Sequence, residues 1–322
     1  MMRDHGGNID AAKRQFGGED WIDLSTGINR IPYPVGAVSA DAWAILPTKS
    51  ALQSLCNQAR NTYRVAQGAD IVPLAGAQGA IQLLPHLGAP RKARVFGPTY
   101  NEHAAALINA GWQVETVSNI AEIEGAELGV VVNPNNPGGQ TFAPQELLAL
   151  KEKVETLIVD ESFGDARPEL SVAPFAGQRG LFVLRSFGKF YGLAGARLGF
   201  AIGAPEQIDT LRELAGPWPV SGPAIEIGTR ALADTAWANE TINRLRTECL
   251  QIDALATAAH WSLVGGCELF RLYSCQNSTE MQNHLAHYRI WSRIFPWSPN
   301  LIRLGLPGSD VEWARLAAAM AF

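Results

Sequence analysis

The sequence predicts an α/β fold: a mostly parallel sheet covered by helices, with a smaller α+β unit after it. Three observations carry that expectation. From about Ala93, short apolar runs alternate with segments of helical period. Polar residues follow the carboxyl end of one run after another. Past "GPWPVSGPA" the pattern turns helical before short strands return near the end. Alternation of this kind marks strands joined by helices that lie on both faces of a parallel sheet.

In order, "ARVFGPTY" reads as a strand entering a loop, and "NEHAAALINAG" as a helix stopped at Gly111. "WQVETVS" is the next strand. "LGVVVNPNNPGG" is a buried strand breaking into a Pro/Gly turn, and "APQELLALKEKV" an amphipathic helix with Pro144 in its first turn. "TLIVDESF" and "LFVLRSFGK" are apolar strands with polar ends, followed by the strand "RLGFAIG" and the helix "PEQIDTLREL". A long helical stretch is expected from about Ala224 to His260. After the Gly265–Gly266 pair come "ELFRLYS", a helical "STEMQNHLAHY", and the strands "IWSRIF" and "LIRLGL". The division expected is residues 1–35 as an amino-terminal arm serving the small domain and the active site, 36–235 as the large domain, and 236–322 as the small carboxy-terminal α+β domain.

Composition narrows the function. The chain has 322 residues, 47% of them hydrophobic, which is ample for a sizeable core. A net charge of −5 disfavours nucleic acid and membrane surfaces, both of which call for a basic face. No secretory or membrane-spanning segment is read, and the four cysteines form no ligand pattern. Structural thiols, no metal and a cytoplasmic location are the expectation.

The chemistry-bearing residues follow strand ends, where open α/β sheets bind ligands. In "SFGKFYGLAGARLGF", Lys189 sits among four glycines, with Ser186 before it and Arg197 after. A lysine forms an imine once desolvation or nearby charge lowers its pKa, and glycines admit a planar ligand. The plainer reading is a solvated loop. Asp160 ends an apolar strand, where a carboxylate is costly without a cationic partner such as a protonated ring nitrogen. The plainer reading there is a turn cap. "NPNNPGG" offers Asn133, Asn135 and Asn136 as amide donors or as ordinary turn formers. "LAGAQGAIQLL" is a glycine turn entering a helix, which presents backbone N–H groups to an anion.

Together these segments resemble the fold-type I pyridoxal-phosphate (PLP) enzymes, in the class I/II aminotransferase family. The S-x-x-K spacing with an arginine eight residues on matches Ser186, Lys189 and Arg197. The N-P-x-G turn matches Asn136 to Gly139, and the strand-end aspartate matches Asp160. The resemblance implies a seven-stranded sheet and PLP as cofactor. It makes Lys189 the covalent anchor, Asp160 the partner of the pyridine nitrogen and Asn136 the donor to the ring hydroxyl oxygen. Ala77, Gln78, Ser186 and Arg197 would hold the phosphate, and Tyr100 would stack on the ring. Tyr63 would reach the cofactor phosphate of a neighbouring subunit, which implies a homodimer. Phe163 departs from the pattern, since many relatives have tyrosine there.

Three further segments, "DHGGNIDAAKRQFG", "WIDLSTGINRIPYP" and "NLIRLGLPG", resemble the threonine-phosphate decarboxylases of cobalamin biosynthesis. That resemblance implies decarboxylation of L-threonine O-3-phosphate to (R)-1-aminopropan-2-ol phosphate. Arg303 would take the substrate carboxylate, since a guanidinium grips a carboxylate in two-pronged fashion. Arg293 would reach the phosphate, with His5, Asn8, Ser25 and Asn29 completing its pocket. Relatives commonly have proline where this chain has Arg30. The alternative within the class is an aminotransferase for a phosphorylated substrate such as histidinol phosphate. A silent binding protein would have little reason to keep Lys189, Asp160, Asn136 and Arg197 together. A nicotinamide enzyme lacks its G-x-G-x-x-G turn.

Overall fold

The computed structural model describes residues 5–321, so the first four residues of the expected arm, and Phe322, lie outside it. In chain order the strands are β1 (Ile22–Asp23), β2 (Asp70–Ala75), β3 (Lys92–Phe96), β4 (Gln113–Val117), β5 (Leu128–Val132), β6 (Thr156–Asp160), β7 (Leu181–Ser186), β8 (Leu198–Gly203), β9 (Ser262–Cys267), β10 (Phe270–Ser274), β11 (Ile290–Trp291), β12 (Arg293–Phe295) and β13 (Ser298–Gly305). The chain divides into two compact units. One takes the chain up to Pro32, Pro137–Gly139 and the chain from Trp237 onward; the other takes Tyr33–Asn136 and Gln140–Ala236.

The larger unit is built on a seven-stranded sheet in the order β2-β8-β7-β6-β5-β3-β4. β8 runs antiparallel to both its neighbours, and the other pairings are parallel. β5 reads Leu-Gly-Val-Val-Val and is buried throughout, as a strand covered on both faces requires. Its core gathers Val72, Leu74, Val95, Leu107, Val130, Ile158, Phe182 and Leu184 with Ile208 and Leu211 of the helix Pro205–Ala215. The sequence reading missed β2, because Pro73 interrupts it. Proline lacks the N–H a ladder needs, and it is tolerated here because β2 is an edge strand.

The smaller unit holds the antiparallel sheet β12-β13-β10-β9 and the parallel pair β1 and β11. Two expectations change. The helical stretch from Ala224 to His260 is two helices, Gly222–Ala233 and Thr235–Ala258. Asp234 leaves helical geometry between them at φ −85° and ψ 78°. "IWSRIF" is not one strand. Ile290 and Trp291 pair with β1, and after Ser292 the chain joins β13 as β12. Gly265 and Gly266 lie inside β9, where Gly265 comes so close to Gly138 that an added Cβ would stand 2.1 Å from its carbonyl oxygen.

Arg30, which stands where the resemblance leads one to expect proline, forms a two-pronged pair with Glu312, with Nε at 2.8 Å and Nη2 at 2.5 Å from the carboxylate oxygens. Glu312 Oε2 also accepts from the Gly308 N–H. An ion pair to the helix Asp310–Met320 thus holds the loop where a proline ring would stiffen it. No helix among the described residues is long and apolar enough to cross a membrane.

Candidate active site

In the larger unit the expected cofactor residues cluster at strand ends. The helix Gly76–Leu83 follows β2 directly, with Gly76 at φ +73° and no side-chain cap. Its first-turn N–H groups therefore lack acceptors from the helix itself. A Cβ at Gly199 would lie 2.3 Å from the Ala77 nitrogen, and one at Gly76 would lie 3.0 Å from Arg197 Nη2. Ser186 is opposite Gly199 in the β7–β8 register. The backbone of Ala77, the Arg197 guanidinium and the end of β7 are thus brought together by close approach at two glycines. That donor set suits a phosphate.

Asp160 ends β6 at 2% exposure. Its Oδ2 lies 2.8 Å from His103 Nε2, and its Oδ1 accepts from the Ser162 N–H at 2.9 Å. Burial alone would raise its pKa, but the bonds from His103 and Ser162 outweigh burial and hold the carboxyl below its ordinary value. A buried carboxylate kept ionised is suited to a ring nitrogen that must carry a proton. The Tyr100 hydroxyl donates to Gln78 Oε1 at 3.2 Å, and Gln78 Nε2 donates to Glu102 Oε2 at 3.4 Å. The ring expected to stack on the cofactor is thereby tied to the phosphate turn. Asn133 and Asn135 serve the fold: Asn133 exchanges two bonds with Phe142, and Asn135 bonds Pro98 and Thr99. Asn136, half-buried, comes next on the turn. Lys189 lies in the short helix after β7, its Nζ 4.9 Å from the centroid of the Phe163 ring. A lysine, a buried carboxylate and a turn rich in anion donors at neighbouring strand ends fit the donor set that PLP requires.

Tyr63 is buried in the larger unit. It is 5% exposed, its hydroxyl is enclosed without a hydrogen-bond partner, and its ring packs on Phe200 with the Arg185 guanidinium 4.3 Å from its centroid. Arg185 pairs with Glu161 at 2.7 Å and Asp165 at 3.1 Å. Burial would lower its pKa, but the two carboxylates outweigh burial and keep it charged. The sequence reading missed both this network and His103. His103 stands three residues after Tyr100, and that one-turn spacing was the available signal.

The smaller unit gathers the expected substrate residues. In the β12–β13 register Arg293 stands directly opposite Arg303. Like charges opposed across strands repel, and burial followed by the Arg293 charge pushes Arg303 down to about 10. A bound anion offsets that repulsion. Arg303 Nη2 donates to the Ser25 carbonyl at 2.6 Å. A cavity of about 580 Å³ is lined by His5, Asn8, Ser25, Ser292 and Arg293 among others. The Ser25 hydroxyl is already committed: it donates to Asp23 Oδ1 at 2.6 Å and accepts from the Gly7 N–H at 2.7 Å. Those two bonds fasten the arm. Asn8 Oδ1 caps the helix Ile9–Phe16 through the Ala11 N–H. Asn29, 3% exposed, is held by Arg244.

Residues 43–319 match the family model for aminotransferase class I and II. A threonine-phosphate decarboxylase from a Sinorhizobium species is 41% identical over 98% of this chain and 97% of its own length. Another, from Pseudomonas aeruginosa, is 38% identical over 99% and 97%. Among solved structures, histidinol-phosphate aminotransferase from Sinorhizobium meliloti in complex with pyridoxal-5'-phosphate superposes with a TM-score of 0.86. It covers 97% of this chain and 93% of its own, at 18% identity, a likeness of fold.

Proposed function

The chain belongs to the aminotransferase class I and II family, and on that premise we propose that it is a PLP-dependent decarboxylase of L-threonine O-3-phosphate. The product is (R)-1-aminopropan-2-ol phosphate, a building block of cobalamin. The observation that carries the substrate class is the opposed pair Arg293 and Arg303. A substrate with a carboxylate and a phosphate needs two cationic receptors, and the arm residues His5 and Asn8 share a cavity with the first of them. Kinship over nearly the full length, arm included, favours the decarboxylase over the histidinol-phosphate aminotransferase, which shares the core motifs.

Bound PLP supplies an electron sink for the charge left at the substrate's α-carbon. The chain does the rest. Lys189 Nζ anchors the cofactor covalently and is the atom that holds the proton returned to the α-carbon in place of the carboxyl group. Asp160, kept ionised by His103, holds the proton on the ring nitrogen. Asn136 donates to the ring hydroxyl oxygen. Ala77, Gln78, Ser186 and Arg197 bind the cofactor phosphate. Arg303 receives the substrate carboxylate, while Arg293 with His5 and Asn29 receives the phosphate.

A homodimer is part of the reading. Trp43, Ile45 and Leu46 are 72%, 55% and 61% exposed, beside a groove of about 360 Å³ formed with the helix Gly222–Ala233. Large apolar side chains exposed so near one another suit an interaction surface. All four cysteines are free thiols, in keeping with a cytoplasmic enzyme. The experiment sets O-phospho-L-threonine without keto acid against histidinol phosphate with 2-oxoglutarate. Faster consumption of the second would move the assignment to the aminotransferase.

A further inference from the structure

Arg185 stands in β7 four residues before Lys189, and its side chain reaches the loop that leaves the neighbouring β6. Nη1 donates to Glu161 Oε2 at 2.7 Å, and Nη2 lies 3.1 Å from Asp165 Oδ1. Glu161 is fixed further: the Ser171 hydroxyl donates to its carboxylate at 2.6 Å and the Val172 N–H at 2.7 Å. The Gly164 N–H closes the turn by donating to the Glu161 carbonyl at 2.9 Å. One guanidinium therefore grips the loop on both sides of Phe163. The side chains of Arg185, Glu161 and Asp165 are 4%, 1% and 7% exposed, and parting charges buried so deeply is costly, so the grip is firm. Phe163, in the middle of the gripped loop, is itself buried, and Lys189 Nζ stands over its ring, 4.9 Å from the centroid. An ammonium within about 6 Å of an aromatic centroid is drawn to the negative face of the ring.

From this geometry we infer that the face of Phe163 seats the Lys189 ammonium whenever that nitrogen is not bonded to the cofactor, and that Arg185 is the positioning residue that holds the seat. The inference rests on the reading of Lys189 as the group that returns a proton to the α-carbon. Its consequence is a choice between two carbons. Once carbon dioxide has left, the electron pair left behind is shared by the substrate α-carbon and the cofactor carbon on the other side of the nitrogen. A proton delivered to the α-carbon gives the amine, which Lys189 then displaces from PLP. A proton delivered to the cofactor carbon leaves the pair on the cofactor instead. Water then splits the remaining carbon–nitrogen double bond: the amino group stays behind as pyridoxamine phosphate, and the substrate leaves as a phosphorylated aldehyde. That course needs no oxidant, because the cofactor carbon gains the two electrons that the substrate carbon loses. A lysine that swings freely serves both carbons, whereas a seated one serves the carbon its seat faces.

The test counts, in PLP-loaded protein fed O-phospho-L-threonine, the turnovers that end in pyridoxamine phosphate against those that end in amine. This ratio does not depend on how much of the protein is folded, so a purely structural role leaves it unmoved. Phe163→Leu, apolar but without a ring face, is expected to raise the ratio about tenfold, the scale of one desolvated cation–π contact. Phe163→Tyr, which keeps the face, should leave it within about twofold of wild type. Asp165→Asn, which loosens the grip of Arg185 while Glu161 stays, should raise it in the same direction as Phe163→Leu. An unmoved ratio in Phe163→Leu or Asp165→Asn, or one raised equally in Phe163→Tyr, would overturn the inference. Should Phe163→Leu fail to fold, Phe163→Met takes its place with the same two outcomes. A wild type that releases no carbon dioxide sinks the functional reading by itself. The seat is then decided in cofactor-free protein carrying carbon-13 at the lysine ε-carbons. The Lys189 signal, identified by its loss in Lys189→Ala, should be shifted upfield by the ring and return to the ordinary lysine position in Phe163→Leu. A wild-type signal already at the ordinary position would refute the seat.

Discussion

His103 Nε2 stands 2.8 Å from Asp160 Oδ2, with both side chains only 3% exposed. A carboxylate can only accept, so the proton of this bond rides on the imidazole nitrogen. The bond does two things. It offsets part of the cost of burying Asp160, and it fixes the direction in which the second carboxylate oxygen is offered.

Removing it has a direction that can be worked out. His103→Ala takes away a hydrogen bond to a charged group, worth about 1.5–3 kcal/mol, so kcat is expected to fall about tenfold to a hundredfold. The pH dependence follows from the lowered pKa of Asp160. Its contribution to stability is complete above the ordinary value of 3.8 and is lost as pH falls through the lower value of the folded state. In His103→Ala that loss should begin at higher pH, read as an earlier acid unfolding midpoint. An unmoved midpoint would mean that Ser162 alone holds the charge.

Arg303 offers a test at the opposite end of the pH scale. Its pKa is pushed down to about 10, so above that pH it loses charge and its grip on an anion. KM should rise as pH passes about 10. Arg293→Gln removes the opposing charge and should shift that rise to higher pH. Arg303→Ala should raise KM with the cofactor absorbance intact, and an unchanged KM would assign the carboxylate elsewhere.

The close packing of β8 on the turn at Gly76 and Ala77 depends on a missing side chain. In Gly199→Ala the new Cβ would meet Ala77 N at 2.3 Å, and backbone atoms of Gly76 and Arg185 at 2.5 and 2.8 Å. Backbone on three sides cannot swing away as a flexible side chain would. The variant is expected to bind PLP at least tenfold more weakly, by the scale of one lost charge-assisted bond. Titration of cofactor absorbance checks this.

The exposed Ile45 and Leu46 give the assembly prediction. Leu46→Asp places a charge on the apolar surface and should shift the protein from dimer to monomer in analytical ultracentrifugation. A wild type that sediments as a monomer would remove the dimer from the account.

Much of the fold was legible because it is written in local pattern. The all-apolar β5 announces a central parallel strand, and polar residues after β5, β6 and β7 announce the ligand edge. What stayed hidden depends on tertiary direction. Nothing in the sequence around Tyr63 tells that its ring packs on Phe200 and under Arg185. The spacing of His103 from Tyr100 hints at a place near the site, but nothing local tells that it meets the carboxylate at the end of β6. Of the three asparagines in the turn, backbone geometry alone decides that Asn133 and Asn135 are taken up by Phe142, Pro98 and Thr99. The spacing of ten between Arg293 and Arg303 says nothing of their facing each other until the β12–β13 register is known.

The most direct measurement supplies PLP-loaded protein with O-phospho-L-threonine, no keto acid, and follows carbon dioxide against amine product, with Lys189→Ala as control. The account predicts equimolar carbon dioxide and aminopropanol phosphate over many turnovers, and none from the variant. Amino-group transfer to an added keto acid with no carbon dioxide would contradict it.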